Sequence, residues 1–158
     1  MPLKIWVDAD AIPGPAKDII VNASVKRSIP VTFVANKPIP LPMSERISFV
    51  RVKLGPDAAD HFIAENANDG DLVVTQDIPL AHTLLKKGVT AINPRGGKFT
   101  EDNIGERLSM RDLKETLRDQ GEMTGGPSAF GQKEKRAFAA TFDRELTRML
   151  GSRPNIGT

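Results

Sequence analysis

The chain is 158 residues long, 39% hydrophobic and 27% charged, which fits one soluble domain large enough to build a core without staples. Its 22 basic and 20 acidic residues leave a net charge of +2, too balanced to announce a polyanion by bulk charge, so any nucleic-acid partner has to be met by a local patch. Cysteine is absent, which excludes disulfides, thiolate zinc sites and cysteine nucleophiles and leaves oxygen donors or the two histidines for any metal.

In chain order, Lys4-Ile5-Trp6-Val7-Asp8-Ala9-Asp10 reads as an apolar strand running into two carboxylates. Two residues apart in extended chain, Asp8 and Asp10 leave the same face. At about 6 Å and an effective dielectric near 20 their repulsion is roughly 3 kcal/mol, more easily tolerated when a cation or a shared proton offsets it. The plainer alternative is an exposed turn with Asp10 capping the next helix. Pro13 and Pro15 fit a helix entry, followed by a helical face with Ile19, Ile20, Ala23 and Val25. Val31 to Ala35 is a second strand, closed by Asn36-Lys37 and a loop carrying Pro38, Pro40 and Pro42. Ile47 to Val52 is a shorter strand, broken at Gly55-Pro56. Asp57 opens a helix from Ala58 to Ala67 that ends at Gly70. Leu72 to Thr75 is a buried-type strand followed by Asp77, Pro79 to Lys87 a helix closed by Gly88, and Val89 to Asn93 the last strand, leading into Pro94-Arg95-Gly96-Gly97.

Strands alternating with helices imply right-handed crossovers and a mainly parallel central sheet between helical layers, an α/β three-layer sandwich. Two helices complete it. Ile104 to Gln120 places Ile104, Leu108, Leu113 and Leu117 near one stripe, and Lys135 to Leu150 does the same with Phe138, Phe142, Leu146 and Leu150. The glycine-rich connection 121–128 is expected to be mobile, and the residues after Gly151 to form a frayed tail, so that residues 1–150 make up the single domain. No apolar run approaches the roughly 18 residues that span a bilayer, and no basic-then-apolar leader opens the chain, so the expectation is a cytoplasmic protein without a membrane partner.

In a parallel sheet all strand C-termini share one edge, outside which ligands bind. Asp8, Asp10 and Asp77 fall on that edge, whereas Asp71 starts its strand and belongs at the other end. Asp57 and Asp60, at the start of the crossover helix, are placed to reach the same cluster. Asp57 also suits an N-cap or first-turn acid, Asp60 a solvated position, and Asp77 a cap for the following helix. Hard oxygen donors without thiolate select Mg2+ or Mn2+, which activate water and stabilise charge on a phosphoryl group. The expected metal set is Asp8, Asp10, Asp57, Asp60 and Asp77, with Asp8, Asp10, Asp60 and Asp77 catalytic. Asn36, Lys37, Thr75, Asn93, Arg95 and Lys98 come from loops on this edge and are candidates to hold substrate phosphates; ordinary polar loop residues are the competing interpretation. His61, His82, Trp6, Phe138 and Phe142 read as surface, boundary or core residues. Arg107, Arg111 and Arg118, interleaved with acids, read as solvated faces.

The blocks Trp6 to Ala11, Val34 to Asn36, Asp57 to Asp60, Gly70 to Ala81, Asn93 to Gly96, Met110 to Leu113 and Thr124 to Pro127 together resemble the YaiI/YqxD family of bacterial proteins over nearly the whole chain. That family is related to PIN-like nucleases. The resemblance implies a PIN-like fold in which an early Asp, a helix acid and a Thr-x-Asp acid gather, here Asp8, Asp60 with Asp57 beside it, and Asp77. It also implies a metal-dependent nuclease with RNA, more than DNA, as partner. Many relatives carry a cysteine shortly after the second Asp, where this chain has Ile12. Two rivals stand beside the nuclease: a non-catalytic RNA- or nucleotide-binding protein, and a haloacid-dehalogenase-like phosphatase with Asp8 as nucleophile. The phosphatase fits less well because Asp71 precedes its strand rather than ending it.

Overall fold

The computed structural model describes residues 3–10, 12–53, 55, 58–119 and 129–151. The chain runs β1 (Ile5–Asp8), α1 (Gly14–Arg27), β2 (Val31–Ala35), β3 (Ile47–Arg51), α2 (Ala58–Asn66), β4 (Leu72–Val74), α3 (Ile78–Lys86) and β5 (Thr90–Ile92), then α4 (Glu101–Asp119) and α5 (Gln132–Gly151). The five strands pair in the order β3-β2-β1-β4-β5, every pair parallel. The chain therefore starts in the centre, winds outward to β3 and returns to the other side of β1. That reversal sets a topological switch point between β1 and β4.

Strand alternation divides the core into two layers. Ile5, Val7, Val31, Phe33, Leu72 and Val74 pack against Ala16 and Ile20 of α1 and Phe138, Phe142 and Leu146 of α5. Trp6, Val34 and Val73 face the other way, onto Ala59 and Ile63 of α2, Leu80, Ala81 and Leu84 of α3, and Ile104 of α4. Continuing that alternation by one step, Asp8 and Thr75 emerge on the α2 and α3 side. Among the described residues no helix is long and apolar enough to cross a membrane.

Between β2 and β3 there is no helix. The proline-rich segment 36–46 returns the chain instead, with Ile39 and Leu41 packed on the α1 layer and the Lys17 ammonium donating to the Pro40 carbonyl at 2.9 Å. Prolines at 38, 40 and 42 lack amide donors and hold the segment extended, so it covers the sheet without forming a helix.

The two long helices correct the expected stripes. Among the described residues of α4 only Ile104 is buried; Leu113 is 50% exposed, because nine residues at 3.6 per turn place it on the face opposite Ile104. On α5 the stripe Phe138, Phe142 and Leu146 is completed by buried Met149, while Leu150 is exposed. Phe138 and Phe142 stack at 5.3 Å between centroids, as core residues. Gly151 belongs to α5 rather than to a tail. Residues 121–128 and 152–158, for which mobility and fraying were expected, lie outside the described residues.

Candidate carboxylate site at the switch point

The site is built around Asp8, the last residue of β1. The Thr75 hydroxyl, one residue past β4, donates to Asp8 Oδ2 at 2.9 Å and accepts from the Asp77 amide at 2.9 Å. Thr75 is 1% exposed, so this hydroxyl ties the ends of β1 and β4 together and has no free reach toward a phosphate. Asp77 is the N-cap of α3: its Oδ1 accepts from the Leu80 amide at 2.8 Å, with Pro79 in the first turn. The capping alternative for Asp77 is therefore realised, and Asp77 also lines a cavity with Asp60. For Asp10 capping is not realised, since Pro13 caps α1 without a side-chain bond. Asp10 instead accepts from the Asn36 amide at 2.7 Å, which fastens the end of β1 to the end of β2.

Asp60, in the first turn of α2, lies against Asp8 and lines the same cavity. Burial pushes the Asp8 carboxyl above the usual carboxylate range; the Thr75 hydroxyl pulls it back in part, and the charges of Asp77 and Asp10 push it up further. A cavity of about 200 Å³ opens over this group, walled by Asp8, Asp10, Asp60, Gly55, Ala58 and Gln76. A second, of about 250 Å³, is walled by Asp60, His61, Asp77, Leu80 and Arg111. Asp57 lies outside the described residues.

The donor set has the chemistry of a hard divalent cation, being carboxylate oxygen only. Its disposition is looser than its chemistry: among the described residues no group of three acidic, histidine or cysteine side chains is placed to hold a metal ion.

The other loop candidates do varied work. Lys37 is exposed. Asn93 Oδ1 accepts from the amides of Arg95 and Gly97 at 2.8 and 3.2 Å, which makes Asn93 the clamp of the turn after β5. Gly96 in that turn has φ +100°, and a Cβ there would lie 2.7 Å from the Ala137 backbone of α5, so only glycine lets the helix dock. The Arg95 guanidinium sits 5.7 Å from the Phe130 ring centroid. Lys98 pairs with Glu145 of α5 at 3.0 Å. Asn93, Arg95 and Lys98 thus serve the seating of α5.

Sequence reasoning passed over Gln76 and Gly55 as lining residues of the acidic cavities, and set aside His61 as a surface or boundary residue and Arg107 and Arg111 as solvated. The signal for the arginines was their spacing with Lys114, at i, i+4 and i+7 on one helical face.

Fold and site together define a doubly wound α/β domain with an acidic switch point. The chain belongs to the YaiI/YqxD family, described as uncharacterized, whose profile matches residues 6–148. It is similar to a UPF0178 protein of Syntrophobacter fumaroxidans, 53% identical over 146 residues that span 92% of this chain and 95% of that one. It is likewise similar to a UPF0178 protein of Myxococcus xanthus, 49% identical over 152 residues, 96% of this chain and 99% of the relative. Among solved structures it resembles a xanthine dehydrogenase from Bacillus halodurans, with a TM-score of 0.51 and 15% identity over 99% of this chain and 45% of that one. That likeness is one of fold alone.

Proposed function

We propose that this chain is a metal-dependent nuclease that hydrolyses phosphodiesters, RNA in preference to DNA, with Mg2+ or Mn2+ at the acidic switch point. The observation that carries the proposal is the crowding around Asp8. Asp10, Asp60 and Asp77 all act on it, and no ion pair to Asp8, Asp10 or Asp77 occurs among the described residues. A fold that holds carboxylates together without a cation retains an electrostatic cost that a bound cation relieves.

The residues that would hold the ion are Asp8, Asp10 and Asp60, with Asp77 beside them. When bound, the ion polarises a phosphoryl oxygen and eases the ionisation of a water. The chain itself orients the acids: Thr75 fixes Asp8, the Asn36 amide fixes Asp10, and the α3 cap fixes Asp77. One of the carboxylates helps to take the proton of the attacking water. Incubation of a single-stranded RNA with the protein and Mn2+ should yield cleavage that disappears in Asp8→Asn and Asp77→Asn. An intact RNA under these conditions, with or without hydrolysis of a phosphate monoester, refutes the nuclease.

The loose disposition of the acids favours a second reading, an RNA- or nucleotide-binding protein of the same fold without catalysis. It predicts retention of RNA with no product.

A further inference from the structure

We propose that a single-stranded polynucleotide lies across the whole C-terminal edge of the sheet, gripped by two basic patches on either side of the acids. Arg51 and Lys53 at the end of β3 form one patch, and Arg107, Arg111 and Lys114 on α4 form the other. The proposal rests on the nuclease reading for what happens in the middle, but not for the binding itself.

Four cavities follow one another along the edge, and the last three share lining residues. The first, about 330 Å³, is lined by Asn36, Arg51, Val52 and Lys53. Asn36 links it to the acidic cavity, its backbone amide donating a hydrogen bond to Asp10 Oδ1. Asp60 is common to the acidic cavity and the third, and Arg111 is common to the third and the fourth. The fourth is a groove of about 470 Å³ between the start of α3 and α4, where Arg107, Arg111 and Lys114 stand beside Ile78 and Met110. The edge thus reads cationic, acidic, cationic. With strands about 4.8 Å apart, β3 lies roughly 10 Å from β1, so the first grip is set well to one side of the acids.

That charge order suits a chain of repeated anions that must be held on both sides of a point where anions are otherwise repelled. Lys53 is exposed, and the Arg51 guanidinium uses only its Nε in the bond to the Asn36 carbonyl at 3.3 Å. Arg107 is steadied over the Phe99 ring at 5.0 Å. Arg111 pairs with Asp112 and Glu115, exposed contacts of the kind that yield readily to a phosphate. Glu106 also lines the groove, and the three cations outnumber it. Ile78 and Met110, the latter 48% exposed, offer apolar contact to an unstacked base, which a duplex keeps inside its own stack.

The test is fluorescence anisotropy with a labelled oligouridylate of roughly twelve nucleotides in EDTA, where no cutting intervenes. Lys53→Glu and Lys114→Glu should each weaken binding about fivefold or more. The double variant should multiply the losses, and the slope of log K against log salt should fall by about 0.7 for each phosphate contact removed. Lys26→Glu, in the last turn of α1 at the far end of the sheet, should bind as the parent does. The proposal is overturned if the edge variants bind like the parent, if Lys26→Glu is equally weakened, or if a duplex or an oligoglutamate binds as tightly as the single strand. Tight, edge-dependent binding without cleavage in Mn2+ supports this track and sinks the nuclease alone. Cleavage that persists with unchanged binding in both edge variants sinks the track alone.

Discussion

Glu145 on α5 and Asp8 at the end of β1 are both acids drawn out of water, yet their surroundings carry opposite charge. Around Glu145 the structure gathers cations: Lys98 at 3.0 Å, Arg148 at 2.8 Å and Arg144 at 3.7 Å. Burial pushes the Glu145 carboxyl up, but the hydrogen bonds from Arg148 and Lys98 outweigh it and hold the group below its ordinary value. Around Asp8 burial again pushes up, the Thr75 hydroxyl and, less strongly, Asp60 pull down, and the charges of Asp77 and Asp10 push up. The first arrangement fastens α5 to the turn after β5, helped by the Thr141 hydroxyl donating to the Gly96 carbonyl at 2.7 Å. The second spends stability to keep anions at a cavity. Cations close the first arrangement, whereas no ion pair to Asp8, Asp10 or Asp77 occurs among the described residues.

The largest expected effect is on chemistry. Asp8→Asn should lower Mn2+-dependent cleavage by about three orders of magnitude, on the order of 4 kcal/mol of transition-state stabilisation, whereas Glu145→Gln should leave the rate near that of the parent. Next comes stability: Glu145→Ala should cost about 2 kcal/mol in urea unfolding at neutral pH, the worth of hydrogen bonds to a buried charge. Because the folded Glu145 is held below its unfolded value of about 4.5, its contribution is complete above that value and disappears as pH falls through the folded pKa. Asp8 has the opposite sign. Its folded carboxyl titrates above 3.8, so the penalty is absent in acid and grows as pH rises through the folded pKa. Asp8→Asn in EDTA should therefore stabilise the fold at pH 7, on the order of 1 kcal/mol or about 2–4 °C in Tm, with the gain vanishing in acid. A destabilised Asp8→Asn at pH 7 would break the contrast. The smallest effect sharpens it: Thr75→Val removes the bond that lowers Asp8, so NMR titration should find the Asp8 carboxyl raised further, with a stability loss of about 1 kcal/mol.

Much of this arrangement was legible in the sequence, for physical reasons. Apolar strands alternating with helices leave few topologies beyond a parallel sheet, and the rule that strand ends share an edge sorted Asp8, Asp10 and Asp77 from Asp71. Asp71 does lie elsewhere, accepting from Trp6 Nε1 at 3.0 Å. Less legible was anything set by partners distant in sequence. Thr75 was expected to face substrate, but its hydroxyl is committed to Asp8, 67 positions away. Asn93 and Lys98 looked like phosphate ligands because nothing local revealed the turn or Glu145. The α5 stripe was misjudged by counting in fours: at 3.6 residues per turn each step drifts about 40°, so Met149 rather than Leu150 returns to the core face. Arg107 and Arg111 were dismissed because acids separate them in sequence, although helical geometry brings them with Lys114 to one groove.

The central claim is that the acids at the switch point await a divalent cation, and titration calorimetry with Mn2+ tests it directly. The account predicts stoichiometric binding by the parent protein. Binding should weaken as pH falls, because the Asp8 carboxyl, raised by burial, then holds a proton that competes with the ion, and the signal should be lost in Asp8→Asn. A parent protein that takes up no Mn2+, or an Asp8→Asn variant that binds it equally well, would contradict the account.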